Sequence, residues 1–238
     1  MQLLVSVRSL EEANLVGGAG VDLIDLKEPH YGSLGATSSE IWQAVVSQWH
    51  KRSPVSLALG ELSGVCSVDK VPQETHSVKI GLAHCGRTPG WQDKLSAVIE
   101  QLPGKVHRVA VHYADAHLAE SPSLDDVLNM ALQLDCQTFL VDTFDKSAGS
   151  VFNHLSTTQL EKLRERLHCE GRQFALAGSL LAHHLPSVVQ IQPDIVAVRG
   201  AVCHRERTGE IDIKLLRSFR EQLRVAFQHK TRKVLSRG

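Results

Sequence analysis

Residues 22–29 read Asp22-Leu23-Ile24-Asp25-Leu26-Lys27-Glu28-Pro29. Leu23 to Lys27 has the length and apolar content of a buried strand, and Pro29 bars its continuation. Asp25 and Lys27 stand two apart, so their side chains leave the strand on one face. Two ionisable groups on one face of a buried strand call for a polar interior.

Working outward, the same alternation of strand and helix repeats along the chain. Leu3 to Val7 is a first strand, followed by a short helix, Ser9 to Leu15, with Ser9 and Glu12 as a capping box. After the second strand, Ser38 to Trp49 is a helix with Ile41, Ala44, Val45 and Trp49 on one face. Further strands are Val55–Leu59, Ser77–Gly81, Val106–Val111, Thr138–Asp142, Phe174–Ala177 and Ile195–Arg199. Helices are expected at Trp91–Leu102, Ser123–Leu134 and Thr157–Cys169, from Leu180 onward, and at Ile213–Phe227. Residues 61–72 carry little helical periodicity, which makes the third unit the weak one. Such alternation implies a parallel sheet. No GxGxxG follows the first strand, and the unit count matches closure. The expected fold is therefore α/β: a single (β/α)₈ TIM barrel over residues 1–227. A basic tail, residues 228–238, is expected to fray.

Composition narrows the function classes. The chain has 238 residues, 42% hydrophobic, with a formal net charge of zero. That balance points to neither nucleic acid nor a membrane surface as partner. The 13 histidines are scattered, with no HExxH or HxxxH spacing, so no metal site is expected. Five cysteines without a CxxC (Cys66, Cys85, Cys136, Cys169 and Cys203) read as free thiols in a reducing compartment. No apolar run approaches membrane-spanning length and the N-terminus lacks a signal-peptide pattern, so a cytoplasmic location is expected. The outer helices of such a barrel are compatible with a homo-oligomer.

In a barrel the chemistry lies at the C-terminal ends of the strands. The second strand ends in Asp25 and Lys27, the fourth carries Lys79, and the sixth ends in Asp142 with Lys146 in the loop beyond. Three lysines and two aspartates thus converge on one mouth. Burial and like-charge repulsion both lower a lysine pKa. A neutral amine is a nucleophile toward carbonyls, and the aspartates can move protons. The competing reading is a salt-bridged structural ring. Ser33, in the loop Glu28 to Ala36, is a candidate donor to substrate. Gly178 and Ser179 after the seventh strand, and Arg199 and Gly200 after the eighth, occupy the place where barrels bind phosphate. His112 and His117, beyond the fifth strand, are secondary candidates.

The stretch Asp22 to Pro29, followed by Gly32-Ser33-Leu34-Gly35-Ala36, resembles the start of the (5-formylfuran-3-yl)methyl phosphate synthase family, also called 4-(hydroxymethyl)-2-furancarboxaldehyde-phosphate synthase. Val78-Lys79-Ile80-Gly81-Leu82 fits the same pattern, as does Val141-Asp142-Thr143 with Lys146. So do Leu176-Ala177-Gly178-Ser179-Leu180 and Val198-Arg199-Gly200-Ala201. The likeness extends from Leu3 to about Val225. It implies a (β/α)₈ barrel that converts two glyceraldehyde 3-phosphate molecules into a phosphorylated hydroxymethyl-furaldehyde. That is an early step toward the furan of methanofuran or methylofuran. It further implies a Schiff base on Lys27, proton abstraction by Lys79, and supporting roles for Asp25, Asp142 and Lys146. The family pattern has a further lysine after the fifth strand. This chain has His112-Tyr113-Ala114-Asp115-Ala116-His117 there, leaving His112 or His117 as the replacement.

On this reading the substrate is a small phosphorylated aldehyde and no cofactor is needed, since the imine is the electron sink. Two other functions fit the same residues. One is a sugar-phosphate isomerase or epimerase, with Lys79 and Asp142 as its acid–base pair and Lys27 clamping phosphate. The other is a non-catalytic barrel that binds phosphometabolites.

Overall fold

Parallel pairing sets the shape. The computed structural model describes residues 1–64 and 68–235. Its strands are β1 (Gln2–Val7), β2 (Leu23–Leu26), β3 (Val55–Glu61), β4 (Ser77–Gly81), β5 (His107–Tyr113), β6 (Thr138–Asp142), β7 (Gln173–Leu176) and β8 (Ile195–Val198). They pair in chain order, and β8 returns to pair with β1, closing the barrel. The expected fold is the observed one.

The helices are α1 (Leu10–Gly18), α2 (Ser39–Trp49), α3 (Trp91–Glu100), α4 (Ala116–Ala119), α5 (Leu124–Gln133), α6 (Thr157–Cys169), α7 (Leu185–Ile191) and α8 (Ile213–Leu235). The longer ones present an apolar stripe to the outside of the sheet, as amphipathic helices do. On α2 the buried residues are Trp42, Val45, Val46 and Trp49, so Trp42 takes the place expected of Ile41. Gly17 makes room for the Trp49 indole: a Cβ there would lie 2.2 Å from the ring.

Three departures from the sequence reading have local causes. Among the described residues, β3 is followed by two 3₁₀ turns, Leu62–Gly64 and Val68–Lys70, and by no α-helix. Gly64 and Pro72 punctuate that short segment; Cys66 lies outside the described residues. After β7 the helix starts at Leu185, because Gly178 and Ser179 both adopt positive φ and Ala182–His184 form a 3₁₀ turn. The last helix passes the expected end at Phe227 and continues to Leu235, since neither glycine nor proline interrupts residues 228–235. Of the tail expected to fray, residues 236–238 lie outside the described residues.

The bore differs from an ordinary barrel core. Branched aliphatic layers normally fill it. Here Ser6, Asp25, Ser56, Lys79, Ala175 and Ala197 point inward among Leu4, Leu23, Leu140 and Ile195. These small and polar side chains leave a cavity of about 750 Å³, reaching from Lys27 and Lys146 at the mouth to Gln2, His76, His107 and Gln173 at the base.

The ring is fastened where its two ends meet. Ser9 caps α1 as expected, accepting from the Glu12 amide. Glu12 does not return the bond to Ser9; its carboxylate takes the Arg8 amide at 2.8 Å and the Arg199 guanidinium at 2.8 and 3.1 Å. Arg199 is 6% exposed. Removing one partner of such a buried pair leaves an uncompensated charge. Glu12→Ala should therefore lower unfolding free energy by about 3 kcal/mol, read as a reduced urea midpoint at unchanged m-value.

Candidate active site

The period of two along β2, β3 and β4 turns Asp25, Ser56 and Lys79 into the bore at one level. Asp25 is 1% exposed and Lys79 is 4% exposed. The Ser6 hydroxyl donates to Asp25 Oδ2 at 2.8 Å. Lys79 Nζ donates to Asp25 Oδ1 and to Ser56 Oγ, the latter at 2.9 Å. Burial pulls the Lys79 pKa below the ordinary lysine value; Asp25 opposes the fall and Lys27 adds to it.

One level higher, Asp142 closes β6 and serves two more lysines. Lys146 Nζ donates to its Oδ1, and Lys27 Nζ lies 3.5 Å from its Oδ2. The Thr143 amide also donates to Oδ1, at 2.8 Å. Burial alone would raise the Asp142 carboxyl, but Lys146, Lys27 and the Thr143 amide outweigh it and hold it well below the usual carboxylate range. Burial brings Lys146 down to about 8 against the attraction of Asp142, with Lys27 repelling it.

The three ammonium groups differ in freedom. Lys79 is tied to two acceptors, and Lys146 to Asp142 and to the carbonyl and hydroxyl of Thr143. Lys27 has the single longer contact with Asp142 and faces the cavity. Its backbone amide still donates to Val7 O at 3.0 Å, so the strand register holds it one residue past the end of β2.

Asp25, Lys27, Lys79, Asp142 and Lys146 thus line one cavity, as expected, and so do Gly178, Ser179 and Gly200. Four other candidates stand elsewhere or are already engaged. The Ser33 hydroxyl is buried and donates to Thr143 O at 2.6 Å, tying the loop after β2 to the end of β6. Arg199 carries five hydrogen bonds, to Glu12 (two) and to the Arg207, Ser6 and Gly209 carbonyls, which use up a guanidinium's donors. His112 faces away from the bore, because β5 places Val109, Val111 and Tyr113 inward. Burial pushes its pKa down to about 4, with Asp115 opposing. His117 is exposed on α4, where its ring neighbours His154.

Sequence reasoning missed Arg207 and misplaced Asp115, which at the end of the fifth strand reads as a pocket-lining residue but does not border the cavity. Asp115 is fully buried and accepts from the amides of Phe144 and Asp145 at 2.7 and 2.8 Å, which fixes the loop that presents Lys146. Arg207, in the loop between β8 and α8, lines the cavity. A charged run in a glycine-bounded loop, His204 to Gly209, was the available signal for it. Among the described residues no group of three metal-ligating side chains gathers, and no helix is long and apolar enough to cross a membrane.

Asp115→Ala should leave two half-buried amides without their acceptor, at a cost of about 1 kcal/mol for each group. Amide exchange across residues 143–149 should then rise by about tenfold or more, with α6 unchanged; hydrogen-exchange mass spectrometry reads both.

A sequence model described as 4-HFC-P synthase matches residues 3–220 of the chain. The chain is 28% identical to the (5-formylfuran-3-yl)methyl phosphate synthase of Methanosarcina barkeri, covering 91% of this chain and 96% of that one. It is 28% identical to the enzyme of the same name from Methanocaldococcus jannaschii, covering 93% and 99%. Among solved structures, 3-hexulose-6-phosphate synthase from Salmonella typhimurium superposes with a TM-score of 0.62 at 14% identity, covering 94% of this chain and 100% of that one. Thiamine phosphate pyrophosphorylase from Pyrococcus furiosus gives 0.63 at 14% identity, covering 94% and 95%. At that identity the likeness concerns the barrel alone.

Proposed function

The chain belongs to the 4-HFC-P synthase family, and from that membership we propose that it converts two molecules of glyceraldehyde 3-phosphate into (5-formylfuran-3-yl)methyl phosphate through a Schiff base on Lys27. Phosphate and water leave, and the furan goes to methanofuran or a related carrier. The observation that carries this reading is the unequal freedom of three lysines around two buried carboxylates. Lys27 alone presents an amine to the cavity without several short bonds to break.

The Lys27 free amine attacks a triose-phosphate carbonyl, and loss of water gives the iminium. The iminium acidifies the neighbouring C–H. Lys79, drawn toward its neutral form by burial and shuttling its proton with Asp25, takes that hydrogen. The enamine adds to the second aldehyde, phosphate is eliminated, ring closure with loss of water gives the furan, and water hydrolyses the imine to release the product and the free Lys27 amine. Lys146, held by Asp142 and brought down by burial to a pKa of about 8, delivers protons to departing oxygens. The imine is the electron sink, so the sequence of steps calls on no cofactor. Free thiols at Cys85, Cys136, Cys169 and Cys203 suit a reducing compartment, and we place the enzyme in the cytoplasm.

Incubation with glyceraldehyde 3-phosphate should produce furan absorbance together with released phosphate. Borohydride added during turnover should leave a mass adduct on Lys27, and Lys27→Arg should abolish both adduct and product. An isomerase using Lys27 as a phosphate clamp would keep part of its activity in that variant. An active enzyme that yields no adduct would end the Schiff-base reading. Lys79→Met should reduce kcat by roughly 10²–10⁴-fold, the range for a lost general base.

The pH dependence follows from Lys146. Its ammonium form is the donor, and its pKa lies at about 8. kcat/KM should fall as pH rises through that value, and Lys146→Arg should move this limb to higher pH. A limb unmoved by the substitution would assign the titration to another group.

A further inference from the structure

We propose that Arg207 is the residue that recognises the substrate phosphate, and that in doing so it latches the loop after β2 over the mouth of the barrel. The inference rests on the reading of the substrate as a phosphorylated triose and assigns the recognition to a residue outside the lysine–aspartate cluster.

The geometry around Arg207 is that of a bridge. It stands in the loop between β8 and α8 and lines the cavity. Its Nη2 donates to Pro29 O at 2.7 Å and to Gly32 O at 2.6 Å, both in the turn that follows Lys27. Its own carbonyl accepts from Arg199 Nε at 2.6 Å. The buried Glu12–Arg199 pair therefore fixes the backbone from which Arg207 reaches out. Among the described residues, Nε and Nη1 of Arg207 have no hydrogen-bond partner. A guanidinium offers its donors in a planar fork that suits phosphate oxygens.

Charge at the mouth points the same way. Lys79 is paired with Asp25 and Arg199 with Glu12, and Arg205 and Glu206 offset each other on one loop. Lys27, Lys146 and Arg207 then remain at the rim against two carboxylates, Asp142 and, in the turn that Arg207 holds, Glu28. The rim holds an excess of cations, which favours a phosphate monoester. Burial pulls Arg207 below the ordinary arginine value and Asp142 opposes that fall, which puts the guanidinium within electrostatic reach of the lysine cluster.

The end of the neighbouring strand, β7, completes the pocket. Gly178 and Ser179 sit at φ +94° and +51°, and the crook they form borders the cavity together with Gly200. An added Cβ on Gly178 would lie 2.9 Å from Val151 Cβ. A phosphate between this crook and Arg207 would place its triose carbon chain toward Lys27. One guanidinium would then hold the anion and the Pro29–Gly32 turn together, so that binding phosphate stiffens the loop bearing the nucleophile.

The test compares phosphorylated and plain aldehydes. Lys27 is trapped with borohydride at graded concentrations of glyceraldehyde 3-phosphate or of glyceraldehyde, in wild type, Arg207→Lys and Arg207→Met. Circular dichroism checks that each variant is folded. For Arg207→Met the half-saturating concentration of glyceraldehyde 3-phosphate should rise by about 10- to 100-fold, the loss expected for a charge-assisted contact. Its half-saturation for glyceraldehyde should rise by far less than that for the phosphorylated aldehyde, and Arg207→Lys should fall between. Wild-type half-saturation for the phosphorylated aldehyde in Arg207→Met would overturn the proposal. So would an equal rise for both aldehydes, which would mark a structural role alone. If wild type traps neither aldehyde, the Schiff-base reading fails by itself. Calorimetric titration with inorganic phosphate then decides on Arg207: weaker binding in Arg207→Met sustains the proposal and equal binding overturns it.

Discussion

Asp25 and Lys79 meet inside the bore, where a barrel ordinarily keeps hydrocarbon, and the surrounding structure accommodates that pair. Neither charge could remain there alone, because an isolated ion in a low-dielectric interior costs several kcal/mol even after relaxation. Ser6 and Ser56 supply the hydrogen bonds that a carboxylate and an ammonium need beyond each other. Their small size, with Ala175 and Ala197 on the facing strands, also empties the bore and makes the cavity. The cavity and the buried pair are thus one arrangement: the residues that satisfy the charges are those too small to fill the space.

Above this level Asp142 repeats the device with two lysines in place of one. A single carboxylate between Lys27 and Lys146 attracts both and satisfies one at short range. The imbalance leaves Lys27 with one longer contact and Lys146 held by several short ones. Asp115 and Ser33 act at one remove: the first holds the amides of Phe144 and Asp145, the second the carbonyl of Thr143. The loop between Asp142 and Ser147 therefore presents Lys146 from a fixed frame, which is what proton transfer over short distances requires.

Much of this was legible in the chain because strands obey simple parity. Once Leu23–Lys27 is a barrel strand, Asp25 and Lys27 must share a face, and their depth follows from their place in the strand. Parity also explains the failure at His112. The fifth strand runs on to Tyr113, and the inward set Val109, Val111 and Tyr113 sends His112 to the outer layer. The residues misread or missed depend on partners far along the chain or on irregular backbone. Arg199 looks like a phosphate ligand until Glu12 is seen beside it. Ser33 looks free until Thr143 is placed. Arg207 sits in a loop with neither helical nor strand period, so no pattern revealed its reach to Pro29 and Gly32.

The Glu12–Arg199 clasp joins residues 187 positions apart. Synthesis on the ribosome delivers Glu12 early and Arg199 near the end. Throughout the interval β1 has only one neighbour, β2, and its other edge offers unpaired backbone groups to any strand nearby. Without its eighth strand the sheet would keep two open margins, and only that strand makes it a ring. Closure therefore rests on a pairing between the first and last strands, the most distant contact in the sequence that the barrel makes.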